Sequence, residues 1–598
     1  MTLPEEPQPK QSCDSRRLGR ERLWLAAVAI AATAFLFLAA LRIKMIADLG
    51  WEGYYLQIYY NLMAGYDWLG AGISLASLLG VWLLSRQEIG IRAAELLERR
   101  RITVACIAAL AMFLLANVIC GGRALTQDEF APLTQGRIFG AGKMAGEWPA
   151  EMMNLLQPSV YWNWFFVKSA GTGRFISNYS PGHALLIAPF SRLGIESASN
   201  ALISGLVLLA ITTIAGRLHG GRAAGAAALF TLASPVFWAY GLGFYSMPAH
   251  LLANLLFVLL MMQGSLTATG AAGTIGGFAL SLHNPFPHAV FAAPWILSLF
   301  RQPRWLVRIP ILVACYAVVY VPLALGWDDY KQFIRQEGEQ VKPVAAAAAA
   351  EPVLSPLARV TGYIEQVRGA FQLDEAWQML EHRLFAMMKL VSWDAPALLV
   401  LACWAAWQHR RDRCTALLAA SALVTVVAYA FVKFSGGHGW GYRYFYPTWG
   451  VLPILAGAAV AGSRPIPCSV AAILTAAAIA APVAVPARLW QMHGFYAGHY
   501  SQEPAIPPDA GIDLSRIDLR RLLVFVNPSK EPFRKDLVQN DPFLRTGPIR
   551  MMTVGDEMSE SVARGLAAER GANPVLVLRN RRGCIWYLQP IAGAAPAE

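Results

Sequence analysis

Charge is what this sequence has least of. Only 15% of its 598 residues are Asp, Glu, Lys or Arg, while 56% are hydrophobic; a soluble chain carries roughly a quarter charged residues. That deficit, with a mean hydropathy of +0.41, excludes an ordinary soluble domain and leaves a polytopic membrane protein. The eight cysteines form no C-x-x-C pair and fall mostly in or beside apolar runs. This excludes a disulfide framework and a zinc site and leaves small packing residues. There is no G-x-x-x-x-G-K-[ST] loop, so a nucleotide-powered pump is not expected. No internal repeat and no lipidation motif is visible. Histidine is scarce, with ten in all.

Long apolar runs, by contrast, are plentiful. Stretches suited to crossing a bilayer, which takes about 20 residues, are 23–41, 69–85, 102–120, 197–215, 223–243, 249–263, 271–283, 288–300, 308–325, 391–407, 414–432, 446–462 and 467–487. That is about thirteen spans. The pair 271–283 and 288–300 is short, and the break HNPFPH between them suggests two half-crossing helices. The basic clusters at Arg16–Arg22, Arg86–Arg101, Arg217–Arg222, Arg301–Arg308 and Arg410–Arg413 then all fall on one side. By the positive-inside rule that side, and the N-terminus, are cytoplasmic. The net charge of +12 is thus a matter of cytoplasmic loops, and no nucleic-acid partner is expected. The first apolar segment follows Arg22 and is too long for a signal peptide, so it reads as a retained anchor.

The resulting division is a cytoplasmic tail, 1–22; a transmembrane region, 23–487; and an extracytoplasmic tail domain, 488–598. Two long loops, 121–196 and 326–390, face outward. The first contains WPAEMMNLL, VYWNWFFV and YSPGHALLIAPFSRLGI, which read as short amphipathic helices at headgroup depth. The second includes six alanines, 345–350, between Pro343 and Pro352, and reads as a mobile linker. In the tail, RLLVFV and NPVLVL are strand-like and SESVARGLAAERG is an amphipathic helix ending in Gly571. Strand, helix and strand imply a small α/β domain.

Directly after the span 102–120 stands TQDEFAPLTQGRIFGAG, with adjacent carboxylates at Asp128 and Glu129. The structural reading is a helix cap. Thr126-x-x-Glu129 fits a capping box, and Asp128 is itself a good N-cap, the choice Pro132 favours. The chemical reading is a general base or metal ligand at the outer face. Other chemistry-bearing residues gather at outward helix mouths: Tyr179, Pro181 and His183; Tyr245 and His250; His283 and His288; His438, Tyr442 and Arg443. At least five of the ten histidines fall there. A lone histidine at a helix end is more often a hydrogen-bonded interface residue; their gathering on one side argues for a site.

The run DEF-x-x-L-x-Q-x-x-x-F-x-x-G-K, then NYSPGHALLIAPFSRLG, GRLHGGRAAGAAALFTLASPVF and WGYRYFYPTWGVLPILAG, resembles the bacterial GT-C glycosyltransferases. More narrowly it is similar to relatives of the protein O-mannosyltransferases and of the lipid A aminoarabinose transferase. The resemblance covers roughly residues 100–598, with the first two spans as an addition. It implies an all-α GT-C membrane fold of the bacterial inner membrane with outward interfacial helices and the α/β tail. It also implies transfer of a sugar from a polyprenyl-phosphate donor to an acceptor hydroxyl, usually with inversion. By motif, Asp128 is the catalytic base and Glu129 its companion. Some relatives carry a lysine ahead of the segment that here reads Tyr179-Ser180-Pro181, and this chain has none there. The donor phosphate then needs another cation: Arg443 first, His250 and His438 behind it, Lys168 and Arg174 after those. Tyr179, His183, Tyr245, Tyr442 and His283 complete the expected donor site. A divalent cation on Asp128 and Glu129 is the one cofactor left open. The acceptor, whether lipid, glycan or protein, is not legible.

Other readings fit the same sequence less well: a purely structural or assembly protein, a transporter, and an enzyme of another fold. A lipid-linked sugar flippase or transporter would place ionisable residues inside its spans, whereas those from 197 to 487 are almost free of them. A glycan polymerase or ligase of another membrane fold would rely on late-loop arginines and histidines and would not need Asp128.

Overall fold

The computed structural model describes residues 15–48, 65, 67–84, 88–156, 160–169, 171–339, 376–432, 439–461, 466–506, 517–527, 532–552 and 556–591. The alanine run at 345–350 and His438 lie outside them. Among the described residues the fold is mostly helical, with two small sheets.

Helices occupy most of the described residues in each of the thirteen apolar stretches, but they are unequal. Among the described residues, six helices are long and apolar enough to cross a membrane: Trp24–Met45, Arg101–Cys120, Ala198–His219, Trp305–Glu337, Arg413–Ala430 and Cys468–Tyr500. The number rises to eight if each of two bent pairs is one span. Four are shorter apolar helices: Met247–Met261, Leu266–Leu280, Phe286–Leu299 and Leu398–Gln408. The stretch 446–462 is two short buried helices, Tyr446–Trp449 and Val451–Ala458; Pro447, Gly450 and Pro453 interrupt what apolarity alone would continue. The chain is an integral membrane protein of the expected helical type, with fewer full-length spans than apolar stretches. The last helix does not stop near 487. It runs from Cys468 to Tyr500 through Pro482 and Pro486, and its far end is anchored by buried Arg488, Met492 and Tyr496.

Gly121 and Gly122 turn the chain out of helix Arg101–Cys120 at φ 62° and 64°, a left-handed conformation glycine adopts without penalty. The chain then enters the acidic helix, Gln127–Gly140. This helix lies against Gly182–Arg192 at close range. A Cβ on Gly136 would stand 2.7 Å from Ile187, and one on Gly140 would stand 3.0 Å from the Ala188 carbonyl.

WPAEMMNLL forms short helical turns, Ala150–Met152 and Met153–Leu156, but the next segment departs from the helical expectation. VYWNWFFV forms a short 3-10 turn, Val160–Trp164, and then a strand, Phe166–Lys168. That strand and Gly146–Glu147 pair antiparallel with Arg174–Ser177 between them. The aromatic run buries itself here: Trp162, Phe165, Phe166 and Phe175 share one core with the tail's Leu523, Phe525, Met551 and Ile585. The tail sheet has the order Ile549–Met552, Leu522–Val526, Gly583–Pro590, Ala572–Asn580. Its first pair is parallel and the others antiparallel, and helix Asp556–Glu569 packs on it. Loop and tail therefore fold as one unit. Helix Trp305–Glu339 reaches the same unit, burying Trp327 and Ile334 against Val167 and Ile176.

Candidate active site

The acidic helix starts at Gln127, with Thr126 as N-cap. Asp128 is not the cap, contrary to the reading that Pro132 favoured. The Thr126 carbonyl accepts from the amides of Glu129 and Phe130, and Pro132 sits inside the helix. Nor does Thr126 make the capping-box bond. Its hydroxyl lies 3.3 Å from the Tyr245 hydroxyl.

The two carboxylates do different things. Glu129 is fully buried and bonds the backbone: Oε1 accepts from the Phe244 amide at 2.8 Å, Oε2 from the Leu125 amide at 2.9 Å. It ties the chain entering the acidic helix to the turn before Met247–Met261. Burial pushes it up to about 7, and the two amides hold back part of that rise. Asp128 points elsewhere. Its Oδ2 accepts from Arg443 Nη1 at 2.7 Å, and its Oδ1 accepts from the Tyr179 hydroxyl. Burial alone would raise this carboxyl, but the Arg443 guanidinium, the Tyr179 hydrogen bond and His283 together bring it down to about 2. Its side chain is still 21% exposed, against 11% for Arg443, so the pair opens to solvent at the carboxylate end.

Around this pair the structure gathers several residues expected from the sequence. The Tyr179 ring lies 4.1 Å from that of His283. Tyr245 and Tyr444 flank the Arg443 guanidinium, at 5.5 and 5.4 Å from ring centre to Cζ. Nε of Arg443 is buried without a partner among the described residues. A guanidinium N–H left so is a donor awaiting an acceptor. His283 and His183 are each lowered to about 4, chiefly by burial. His183 contacts the Phe244 carbonyl through Nε2 at 3.0 Å, and its own amide meets the Leu282 carbonyl, so it splices three loops. His250 is fully buried, and neither ring nitrogen has a partner among the described residues. His288 sits between Asn254 and Tyr316, at 2.6 Å from each.

Other expected residues lie elsewhere. Tyr442 is buried and bonds Arg383 rather than Asp128. Arg174 is held by Glu337 at 2.8 Å and Tyr330 at 2.9 Å, and Lys168 stands on the small sheet. Sequence reasoning overlooked Tyr444, although YRYFYP places it beside Arg443. It also overlooked a buried charge cluster away from the site: Asp67 with Lys389 at 3.5 Å and Arg488 at 3.4 Å. Glu129 faces the Phe244 and Leu125 amides while Asp128 faces Arg443 and Tyr179, so the two carboxylates turn to separate partners rather than to one shared ion. Among the described residues, no group of three or more His, Cys, Asp or Glu is placed to hold one.

The sequence matches no protein-family model and no curated protein. Among solved structures, the chain is similar to ArnT from Cupriavidus metallidurans bound to undecaprenyl phosphate, at 14% identity and TM-score 0.47, covering 83% of this chain and 99% of that one. It is also similar to the same protein in the apo state, at 14% identity and TM-score 0.46, covering 81% and 97%.

Proposed function

We propose that this protein transfers a sugar from a polyprenyl-phosphate donor to an acceptor hydroxyl at the outer face of the bacterial inner membrane. The observation that carries the reading is the Asp128–Arg443 pair: an ionised, partly accessible carboxylate 2.7 Å from a guanidinium that keeps a buried N–H unpartnered. A base and a phosphate-binding cation are what such a transfer requires side by side. The acceptor oxygen forms a bond to the sugar's anomeric carbon and gives its proton to Asp128. The bond from that carbon to the phosphate oxygen breaks, and its electrons leave with the polyprenyl phosphate. Arg443 meets the growing negative charge in a partly dry site, where such contacts are strong. One displacement inverts the anomeric centre.

The resting pair also accounts for timing. A carboxylate held near 2 is a weak base. When the donor phosphate takes up Arg443's donors, its negative charge offsets the guanidinium's hold, and Asp128 regains basicity with substrate in place. Tyr179 and His283 keep the carboxylate oriented, and Glu129 fixes the backbone beneath it. Arg443 stands beside Asp128 where a metal would otherwise supply positive charge, so transfer is expected to survive chelation; abolition by EDTA and rescue by Mg²⁺ or Mn²⁺ would contradict that. Lipid extraction from cells lacking the protein tests the whole reading. An accumulated polyprenyl-phosphate sugar is expected, and an unchanged lipid profile would count against it.

A further inference from the structure

On the far side of the acidic helix, two adjoining cavities of about 420 and 190 Å³ lie between that helix and the tail domain. Arg137, which lines both, is nine residues beyond Asp128: two and a half turns on, hence the opposite face, and about 13 Å along the axis. The cleft is therefore separate from the Asp128 site. Arg192 and Arg545 line its larger part, Arg123 and Arg550 the smaller. All five cations are arginine, and the lining carboxylates are Glu196 and Asp541. Glu196 pairs with Arg137 at 3.1 Å, and Glu503, outside the lining, pairs with both Arg123 and Arg550. Five positive charges against these three negative ones leave an excess of two. Nη2 of Arg123 is buried without a partner among the described residues. Guanidinium forks gathered on a concave surface with spare positive charge suit a phosphate, which they grip bidentately.

The surroundings indicate which phosphate. Arg192 stands six residues before Ala198, where a helix of membrane length begins. Between them Leu193 is 71% exposed and Ile195 36%. Arginine beside exposed apolar side chains at the mouth of a span is the arrangement that meets a lipid headgroup with its chains.

We propose that this cleft holds the phosphate of a membrane lipid, seating the loop and tail unit on the bilayer. The test uses the full chain in phosphatidylcholine nanodiscs, with and without phosphatidylglycerol. Unfolding temperature and lipid retained on extraction, measured by native mass spectrometry, are the readouts. Phosphatidylglycerol is expected to raise the unfolding temperature of the wild type and to be retained. The double variant Arg192→Gln/Arg545→Gln, at two exposed side chains, is expected to melt normally in phosphatidylcholine alone but to lose the rise and to retain roughly tenfold less anionic lipid. Asp128→Asn should keep the full effect, which separates this proposal from the transfer reading. Inorganic phosphate added to phosphatidylcholine discs distinguishes the source: reproducing the whole rise would assign the cleft to a free phosphate and overturn the lipid. No rise in the wild type, or an undiminished one in the double variant, overturns the site itself.

Discussion

Asp128 draws its character from residues far away in sequence, and that makes its chemistry testable by pH. Its folded value near 2 lies below the ordinary 3.8. A depressed carboxylate contributes stability that is complete above the unfolded value and is lost as pH falls through the folded one. The difference amounts to about 2 kcal/mol, and thermal melts of the wild type should fall toward those of Asp128→Asn between about pH 4 and pH 2. Arg443→Gln removes the main opposing charge. Asp128 should then titrate at or above the ordinary carboxylate range, and kcat/KM should gain an acid limb that the wild type lacks above about pH 4; identical profiles would show that Arg443 does not tune the base. Glu129 behaves oppositely. Replacing it with Gln turns one acceptor into a donor facing a buried amide, at a cost of about 1–3 kcal/mol. Glu129→Gln is therefore expected to lower the melting temperature, an effect of position rather than of base chemistry.

At the scale of elements, the site depends on how closely the acidic helix lies on Gly182–Arg192, because Asp128 comes from the first and Tyr179 from the chain entering the second. Gly136→Ala would force a methyl to within 2.7 Å of Ile187. Overpacking of this kind costs about 1–3 kcal/mol, and transfer should fall several-fold while membrane insertion is normal. Unchanged kcat would mean that the helices can separate without disturbing the pair. Much at this scale was legible in the sequence. Apolar runs are helices wherever length permits, and RLLVFV, NPVLVL and SESVARGLAAERG lie in two strands and a helix of the tail. What could not be read depends on partners. Strand Phe166–Lys168 looks like an interfacial aromatic segment until Arg174–Ser177 pairs with it. Nothing local tells that Arg443 meets a carboxylate 315 positions earlier, or that Tyr442, one residue away, turns to Arg383. Helix Cys468–Tyr500 outruns its apolar stretch because Arg488 finds Asp67, more than 400 positions before it.

Across the whole molecule, the membrane helices and the loop and tail unit meet at Asp128. Asp67, Lys389 and Arg488 are buried and stand one or two residues outside the apolar stretches read from the sequence, and buried charge is also a mark of transporters. These groups pair with one another, however, and Arg488 also donates to the Ser392 carbonyl at 2.8 Å, which is the behaviour of a structural clasp. Among the described residues the tail contributes none to the Asp128 pair, yet it shares its core with the first loop. Removing residues 517–598 should abolish transfer by unseating that loop; full activity of the shortened chain would show the shared core to be dispensable. The most direct measurement is sugar transfer from a defined polyprenyl-phosphate donor by wild type and Asp128→Asn, inserted equally in the same membranes. A loss of about 10²–10⁴-fold in kcat, with donor binding kept, is expected for a general base. An Asp128→Asn enzyme that transfers at near the wild-type rate would contradict the account.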